Sequence, residues 1–413
     1  MAEDTRALGE PSVELIRPRL TFRDSAGERS VEIAERCTLG AADGVAVRVR
    51  DPAVSRLHAE LEPRADGLWV HDLGSKNGTF VDGVRVERAR AGEGGRLVVG
   101  GTTMIVSYTE IREVLPPASA IEGFTVVSPA MRRFSARLLE LARTNVTVLV
   151  LGETGAGKDV AARALHDRSP RAAHPRVVVD GALPDALVMA ELAGDAERES
   201  AIERASGGTL VVDEVADLGL PAQAALLRLL DSRTPARLAG KGAPPIDVRF
   251  VATTSRDLVA LAAAGSFRED LYFRLAAAPL RVPPLRDRRE DLAPLVSELA
   301  PVLPPSVSRA DLLAKLERRA FPGNVRELAQ LLDRLTATGA VESRAAAAAP
   351  AGAGPVVDLD RPLKEQREAW LTRLEVEYLR GLLARHGGNV TRVAEAAGID
   401  RTYVHRLVKK HGL

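Results

Sequence analysis

The chain has 413 residues, of which 46% are hydrophobic, so its length allows two or three domains with ordinary cores. A formal net charge of +1 excludes a general attraction to nucleic acid, so a DNA-binding surface has to be local. The single cysteine, Cys37, excludes an internal disulfide framework and fits a small buried hydrophobe, and no Cys/His cluster has zinc-ligand spacing. Residues 1–10 are polar and acidic, unlike a signal peptide, and no apolar run approaches the ~18 residues of a membrane span, so we expect a soluble, cytoplasmic protein.

Residues 12–110 are predicted to form an all-β sandwich, because short apolar segments alternate with Gly and Asp turns and no long helical period occurs. The clearest strand segments are residues 68–70, 78–81 and 104–106. Asp82-Gly83 is typical of a two-residue hairpin turn. Pro116-Pro117 indicates a linker, which we place at 111–125.

Residues 126–341 show a different pattern, in which strands alternate with helices, and this predicts an α/β domain. Continuous apolar runs, as expected of buried parallel strands, occur at 146–151, 209–212 and 248–252. Helical segments that begin at Asp291 and Arg309 predict a small helical lid at about 286–341.

The Ala/Pro/Gly-rich residues 342–362 predict a flexible linker, and residues 363–413 are predicted to be all-α. Residues 364–413 carry ten basic and six acidic side chains, so positive charge is concentrated at this end of the chain. An amphipathic helix is predicted at 374–386, and Asn389 is a suitable N-cap for a second helix at 390–397.

The most specific motif is a glycine-rich loop between a predicted buried strand and a predicted helix. It consists of Gly152, Glu153, Thr154, Gly155, Ala156, Gly157 and Lys158, followed by Asp159. Its backbone N–H groups and the helix N-terminus favour phosphate, and Lys158 can reach the terminal phosphates of a nucleotide, so ATP is the predicted ligand. Asp159 stands where many P-loops carry a hydroxyl residue, and its carboxylate is a candidate Mg²⁺ ligand.

A second motif places an acidic pair, Asp213 and Glu214, at the end of the apolar run 209–212. This arrangement fits Asp213 as a Mg²⁺ ligand and Glu214 as the group that polarises the attacking water. Together with the P-loop upstream, the pair predicts ATP hydrolysis.

Residues 128–332 resemble the AAA+ domain of bacterial enhancer-binding proteins, the activators of sigma-54 RNA polymerase. The resemblance rests on the two motifs above and on residues 267–275, 283–288 and 321–328. It implies that Arg268 and Arg274 are arginine fingers that reach the γ-phosphate of a neighbouring subunit, and that Arg326 senses the nucleotide from the lid. Fingers given in trans imply a homo-oligomer, from a dimer to a hexameric ring.

Three positions depart from this family's pattern. The sigma-contacting loop normally carries a Gly-Ala-Phe-Thr-Gly-Ala signature, but residues 195–206 are short and lack it, so the loop is deleted. Asp180 replaces the asparagine that switches the catalytic glutamate. Ser255, in Thr254-Ser255-Arg256, replaces the asparagine of the first sensor.

The predicted sandwich resembles a forkhead-associated (FHA) domain through residues 55–58 and 72–79. The resemblance implies that loops at one end bind a phosphothreonine peptide. Candidate ligands for the phosphate and the peptide backbone are Ser55, Arg56, Lys76 and Asn77. His58 is predicted to hold the loop. Because the family's Gly-Arg pair reads Gly40-Ala41 here, phosphothreonine binding and a protein–protein or autoinhibitory role both stay open.

Residues 374–413 resemble the Fis-type helix-turn-helix found at the C-terminus of the same activators. The resemblance implies a recognition helix at 401–410 that enters the major groove of double-stranded DNA as part of a dimer. Candidate base-contacting residues are Arg401, Thr402, Tyr403, His405 and Arg406. Lys409 and Lys410 are candidates for phosphate contacts, which fix register but carry no sequence information.

Three functions therefore fit the sequence. The first is an ATP-controlled, DNA-binding regulator of the sigma-54 activator family that is gated by the FHA-like module. The second, favoured by the deleted loop, is a sigma-54-independent switch or repressor that uses ATP only for assembly. The third is an FHA scaffold with a vestigial ATPase, which the intact P-loop and acidic pair disfavour.

Overall fold

A computed structural model describes residues 11–64, 66–194, 199–234, 245–305 and 307–338, together with 378–379, 382–383, 389–397, 404 and 406–408. The chain divides into two compact units, Met1–Val341 and Glu342–Leu413. Among the described residues, no helix combines the length and the apolar character needed to cross a bilayer.

The first unit begins with a β-sandwich, as the short alternating segments predict. Its strands are β1 (Ser12–Asp24), β2 (Gly27–Glu32), β3 (Cys37–Gly40), β4 (Val47–Arg48), β5 (Ala59–Arg64), β6 (Gly67–Asp72), β7 (Thr79–Val81), β8 (Val84–Val86), β9 (Arg88–Ala91), β10 (Arg96–Val99) and β11 (Thr102–Val114). One sheet has the order β2-β1-β11-β10-β7-β8 and the other β4-β3-β5-β6-β9. Alternate residues point inward from both sheets, and Leu20, Leu61, Leu97 and Met104 are among those that fill the core.

Two details of the sandwich bear on the sequence predictions. Val81 pairs with Val84 across Asp82-Gly83, whose φ angles of 51° and 83° are both positive as a type I′ turn requires, so the predicted hairpin is confirmed. Strand β11 extends to Val114, where it pairs with Ser12. The first part of the predicted linker at 111–125 is therefore strand, because pairing with β1 sustains the ladder beyond residue 110.

The second part of this unit is a parallel sheet with helices on both faces. Its strands are β12 (Val148–Leu151), β13 (Arg176–Asp180), β14 (Thr209–Asp213), β15 (Arg249–Thr254) and β16 (Ala278–Arg281), in the order β13-β14-β15-β12-β16. The helices are α1 (Pro129–Ala142), α2 (Lys158–Asp167), α3 (Asp185–Ala193), α4 (Ala201–Arg204), α5 (Leu220–Ser232), α6 (Leu258–Ala263) and α7 (Glu269–Leu275). Apolar clusters cover both faces of the sheet, which explains the continuous apolar runs of its strands.

A buried arginine joins the centre of this sheet to the ends of two helices. Arg249 is 1% exposed, and its guanidinium donates to the carbonyls of Ala142 and Leu165, both at 3.0 Å, and of Leu141 at 2.8 Å. These carbonyls lie in the last turns of α1 and α2, where the helix supplies no further i+4 donor and a positive charge is favoured. The Leu141 carbonyl also accepts from the Thr144 N–H at 3.0 Å and from its hydroxyl at 2.8 Å. Burial lowers the pKa of Arg249 to about 10, so the side chain stays charged at neutral pH.

A helical lid completes the unit and confirms the helices predicted from Asp291 and Arg309. It comprises α8 (Leu292–Leu299), α9 (Arg309–Glu317) and α10 (Asn324–Thr338), which share an apolar core. The fully buried Asp291 carboxylate accepts from the backbone N–H groups of Val127 and Ser128, at 2.8 and 2.9 Å, and from the Ser128 hydroxyl at 2.8 Å. Because the same hydroxyl caps α1, these bonds fix the lid to the start of that helix.

In the second unit, α11 (Val390–Ala397) matches the helix predicted there. The Arg392 N–H donates to Asn389 Oδ1 at 3.3 Å, so Asn389 is the predicted N-cap. A small core contains Leu379, Val393, Ala394, Val404 and Leu407. Most of the helix predicted at 374–386 and of the recognition helix predicted at 401–410 lies outside the described residues.

We predict that Arg249→Ala lowers the free energy of unfolding of the first unit by about 3 kcal/mol or more, because three buried carbonyls lose a charged donor. Denaturant unfolding followed by circular dichroism measures this change. Arg137→Ala, which removes an exposed arginine of α1 that pairs with Glu140, is the control and should cost less than about 0.5 kcal/mol. Equal losses in the two variants would contradict the role given to Arg249.

Candidate functional site

A cavity of about 430 Å³ lies where the P-loop, the end of β14 and the lid meet. Side chains and backbone from four segments line it: 123–125, 155–160, Asp213-Glu214 and the lid. The structure thus brings Lys158, Asp159, Asp213, Glu214 and Arg326 together around one space, although they are far apart in the sequence. A concave site lined by a P-loop and by both charge types is suited to a nucleotide with its phosphates.

The P-loop has the geometry of an anion cradle. Gly157 has a φ of 107° and precedes the first residue of α2, and a Cβ at this position would lie 2.9 Å from the ring of Phe124. Only glycine fits this left-handed conformation under the ring without strain. The next residue, Lys158, is 7% exposed, so its ammonium group lies inside the site. Asp159 follows on the first turn of α2 and is exposed towards the cavity.

An ion pair joins the two predicted catalytic motifs. Lys158 Nζ lies 3.0 Å from Glu214 Oε1, and Glu214 Oε2 accepts from the backbone N–H of Ser255 at 2.8 Å and from its hydroxyl at 3.0 Å. Burial alone would raise the pKa of Glu214, but the hydrogen bonds from Ser255 and Lys158 outweigh it and lower the pKa below its usual value. Glu214 is therefore a carboxylate at neutral pH, and it can accept a hydrogen bond from water.

The neighbouring Asp213 is held by the hydroxyl of Thr253, on the adjacent strand β15. Two of the departures noted in the sequence lie on the strand ends beside it. Ser255, which follows β15, contacts Glu214 directly, whereas the Asp180 carboxylate accepts from the backbone N–H of Ala182 at 2.9 Å, within its own turn. A hydroxyl residue at 255, and not the residue at 180, thus orients the glutamate in this structure.

The lid grips the P-loop from the outside. Asn324 donates from Nδ2 to Glu153 Oε2 and to the Thr154 carbonyl, both at 3.1 Å, and accepts from the Leu285 N–H at 2.8 Å. Glu153 also forms a two-bond ion pair with Arg286, at 2.6 and 2.8 Å. Hydrogen bonding to Arg286 holds the pKa of Glu153 below its usual value, so the pair is charged at neutral pH.

Backbone groups of the lid also contact the P-loop. The N–H groups of Val325 and Arg326 approach the Gly155 carbonyl at 3.1 and 3.4 Å. Any displacement of the lid therefore moves Arg326 relative to the phosphate cradle.

Three contributors to the site were not assigned roles from the sequence. Phe124 stacks edge-on against Phe134 at 5.3 Å and covers Gly157. Arg288, which is 1% exposed, donates to the Ala156 carbonyl at 3.0 Å and so supports the loop from behind. Asn324 belongs to the motif at 321–328, which identified the family without showing what the side chain touches.

The two predicted arginine fingers lie outside this cavity. Arg268 precedes α7 and pairs with Asp270 at 2.8 Å, and Arg274 lies near the end of α7 and pairs with Asp231 at 2.5 Å. Both guanidinium side chains are more than 40% exposed. Within one chain, neither touches the groups around Lys158, so their contribution requires a neighbouring subunit.

Residues 195–206, between α3 and β14, are where the family resemblance places the sigma-contacting loop. Helix α3 ends at Ala193, and α4 begins at Ala201 after the Ser200 N-cap. Ser200 and Glu203 form a capping box, with the Ser200 N–H donating to Glu203 at 2.9 Å. Residues 195–198 lie outside the described part of the chain.

The candidate phosphopeptide residues lie together on loops at one end of the sandwich. Ser55 Oγ accepts from the Lys76 N–H at 3.0 Å, and Asn77 donates to the Ala53 carbonyl at 2.7 Å. The fully buried His58 accepts from the Ser55 N–H at 3.0 Å through Nδ1, which supports its predicted structural role. Burial lowers the pKa of His58, so the ring is neutral at pH 7.

A second loop packs closely behind these residues. A Cβ on Gly40 would lie 2.1 Å from the Arg56 carbonyl oxygen, so only glycine fits, and the Ala41 N–H donates to the Ser55 carbonyl at 2.9 Å. Residue 41 is thus beside Ser55, but its methyl group cannot bind phosphate. Arg56 and Lys76 remain as the cations among the candidates, and the Arg56 guanidinium pairs with Glu269 of α7 at 2.9 Å.

The candidate DNA-contacting residues lie almost entirely outside the described residues. These are Arg401, Thr402, Tyr403, His405, Lys409 and Lys410. Arg406 is described, is helical and is exposed. Its role stays a prediction.

Comparison with known proteins supports both parts of the first unit. Residues 124–281 match the family described as the sigma-54 interaction domain, and residues 37–100 match the FHA domain. An FHA sandwich joined to an AAA+ P-loop domain with a helical lid defines the class of protein.

Individual relatives identify the family. The nitrogen assimilation regulatory protein NtrX of Azorhizobium caulinodans is 34% identical over 348 residues, which cover 77% of this chain and 76% of that protein. The C4-dicarboxylate transport regulator DctD of Pseudomonas aeruginosa is 37% identical over 351 residues, covering 81% and 72%. A crystal structure of NtrX from Brucella abortus in complex with ADP is 34% identical, with a TM-score of 0.50 and coverage of 71% of this chain and 70% of that one. The chain belongs to the family of sigma-54-dependent transcriptional regulators.

We predict that Asn324→Ala weakens ATP binding about tenfold, because the P-loop loses hydrogen bonds that hold its shape, and about 1.4 kcal/mol corresponds to a factor of ten. Titration with a fluorescent ATP analogue measures the affinity. The matched control is Asn145→Ala, since Asn145 is exposed and its amide oxygen accepts from Arg171 at 3.0 Å, away from the P-loop. If both variants bind within twofold of the parent protein, the lid does not shape the cradle.

Proposed function

We propose that this protein is an ATP-hydrolysing, DNA-binding transcription regulator with an FHA-type sensor. The observation that carries the proposal is the Lys158–Glu214 ion pair inside a P-loop cavity that the lid closes with Arg326. The proposed domains are the sensor, predicted at 12–110 and extended to 114 by β11, the ATPase at 126–341 and the DNA-binding domain at 363–413. Segments around 115–125 and 342–362 connect them.

ATP binding follows from the chemistry of the cavity. The P-loop backbone and Lys158 would hold the phosphates, as the ADP complex of the related NtrX from Brucella abortus supports. Asp213 and Asp159 border the same space, and two carboxylates together with substrate phosphates are a typical Mg²⁺ environment. When bound, Mg²⁺ would supply charge neutralisation for the phosphates.

Hydrolysis requires Glu214 to leave Lys158. In the structure its carboxylate is shared by Lys158 and Ser255. Phosphate oxygens would compete for the ammonium group of Lys158, and Glu214 would then be free to orient and polarise a water molecule from the Ser255 side. Ser255 acts as a positioning residue in this scheme, in the place of the family's asparagine.

The exposed fingers support assembly. Arg268 and Arg274 pair with nearby carboxylates that are themselves about half exposed, so exchange to a neighbour's γ-phosphate costs little. A planar guanidinium stabilises charge that develops on a transferring phosphoryl group. We propose a homo-oligomer, from a dimer to a hexameric ring, as the hydrolysing species.

The N-terminal sandwich would sense a signal, and the C-terminal unit would direct the protein to its DNA sites. Ser55, Arg56, Lys76 and Asn77 form a polar cluster suited to a phosphothreonine protein. The C-terminal unit would bind double-stranded DNA through its recognition helix, with Arg406 among the base-contacting residues.

The target of the motor has two candidates. Family membership favours sigma-54 RNA polymerase. The short connection from Ala193 to Ala201 favours the second candidate, a sigma-54-independent switch or repressor, because residues 195–206 lack the signature that contacts sigma-54. An FHA scaffold without turnover is the least supported function, since both catalytic motifs are complete.

We predict that Lys158→Ala reduces ATP affinity by ~100-fold or more, whereas Glu214→Gln keeps ATP affinity within about threefold and lowers turnover by ~100-fold or more. Equilibrium binding and steady-state phosphate release separate the two effects. In the parent protein, turnover should also fall as pH drops through the pKa of Glu214, because protonation removes the acceptor for water. The hydrogen bonds from Ser255, which lower this pKa, remain when Lys158 turns to the phosphates. Unchanged ATP affinity in Lys158→Ala would refute the site.

Transcription from a strong sigma-54 promoter with purified holoenzyme decides between the targets. If the family function is retained, ATP-dependent transcripts appear at high concentrations of this protein and disappear with Lys158→Ala. If hydrolysis is measurable but no transcripts form, the motor acts independently of sigma-54. A family member that carries the complete loop signature serves as the positive control.

A further inference from the structure

The loops that carry the candidate phosphopeptide residues are in contact with the helices beside the arginine fingers. Leu57 and Leu73, which belong to the sandwich, form an apolar cluster with Val259 and Ala262 of α6. All four side chains are 6–7% exposed. Val45, Tyr272 and Phe273 pack against the cluster. Loops at 41–46, 55–58 and 73–77 thus meet α6 and α7 across a small apolar core.

Charged contacts surround this core. Arg56 pairs with Glu269 at 2.9 Å and lies over the ring of Phe273, with 5.6 Å from its guanidinium carbon to the ring centroid. Arg36 bridges Glu60 of the sandwich and Asp257 of the α6 N-cap, the latter at 3.2 Å. Across the contact the sandwich contributes Arg36 and Arg56 and the ATPase domain contributes Asp257 and Glu269, so the two surfaces are complementary in charge.

The contact occupies the surface that a phosphopeptide would need. Arg56 follows Ser55 directly. Because alanine replaces the family's arginine at position 41, Arg56 and Lys76 are the two cations among the candidate phosphate-binding residues. A carboxylate and a phosphate bind the same face of a guanidinium, so the Glu269 carboxylate stands where phosphate oxygens would bind. A peptide laid across these loops would also meet α7 sterically, because Leu57 and Leu73 are already covered.

The contact also involves the helix on which trans hydrolysis depends, while Arg268 and Arg274 themselves stay more than 40% exposed. Glu269 is the first residue of α7, between Arg268 and Arg274 in the sequence, and Phe273 precedes Arg274. A neighbouring subunit has to approach this helix to receive the fingers. The sandwich lies beside the fingers, against Glu269 and Phe273, so a neighbour that approaches α7 has to share this side of the domain with it.

We propose that the recognition loops of the sandwich use α7 as an internal ligand, with Glu269 imitating the phosphate on Arg56, and that a phosphothreonine peptide displaces α7 and releases the finger helix. This inference rests on the proposed phosphothreonine recognition and trans fingers. Peptide binding and α7 docking exclude one another, so each weakens the other by the same factor.

The test uses the full-length protein and a degenerate pool of phosphothreonine peptides, with the unphosphorylated pool as reference. Glu269→Gln removes the imitating charge, and we expect it to bind the phosphorylated pool about three- to fivefold more tightly than the parent, as for a partly exposed ion pair. Asp311→Asn is the matched control, since Asp311 is an exposed acid in the first turn of α9, and it should leave the affinity unchanged.

Hydrogen exchange gives a second measurement that does not depend on affinity. Addition of the phosphorylated pool to the parent protein should increase exchange in 269–275. Leu73→Asp, which places a charge in the apolar cluster, should produce the same increase without peptide, whereas Val84→Asp, at a 65% exposed position of the sandwich, should not.

The outcomes separate this inference from the proposed function. Equal peptide affinity in the parent and Glu269→Gln, with no peptide-induced exchange in α7, would show that the two surfaces are independent and overturn the inference. If neither protein binds the phosphorylated pool, phosphothreonine recognition and the competition both fail. ATP binding and its loss in Lys158→Ala report on the nucleotide site in either case, since no residue of the sandwich lines that cavity.

Discussion

The site depends on the hold that the lid has on the P-loop. A glycine-rich loop binds phosphate through backbone N–H groups, and such a loop has little intrinsic rigidity. Here Asn324, the Glu153–Arg286 pair and Arg288 fix it from outside, through bonds to its side chains and carbonyls. The N–H groups that face the cavity remain available for an anion. Because Asn324, Arg286 and Arg288 all belong to the lid, a change in the orientation of the lid also changes the shape of the P-loop.

Residues 253–257, which connect β15 to α6, link the nucleotide site to the sensor. Thr253 and Ser255 bind the two catalytic carboxylates, while Asp257 caps α6 and pairs with Arg36 of the sandwich. The segment is short and bends at residues 255 and 256, so a shift of α6 moves Ser255 and, through its bonds, the carboxylate of Glu214. Nucleotide state and sensor docking therefore act on opposite ends of the same piece of backbone.

The sequence allowed the architecture, the P-loop and the acidic pair to be predicted, because each depends on local patterns such as apolar runs, glycine spacing and strand–loop–helix order. It did not reveal the roles of Phe124, Arg288 or Asn324, which reach the loop from distant segments. The ion pair between Arg56 and Glu269 could not be predicted from the sequence either, since two charged residues 213 positions apart form no recognisable pattern. Long-range pairing likewise explains why β11 runs past its predicted end at 110.

The pairing of β1 with β11 has an evolutionary consequence. Ser12 lies opposite Val114, so the backbone enters and leaves the sandwich at neighbouring points on one edge. A module with adjacent ends can be exchanged for another without altering the rest of the fold, provided that the replacement presents its own contacts to α6 and α7. Recombination at this junction would place the same ATPase domain under the control of a different stimulus. Only sensor domains whose surfaces fit α6 and α7 would be retained.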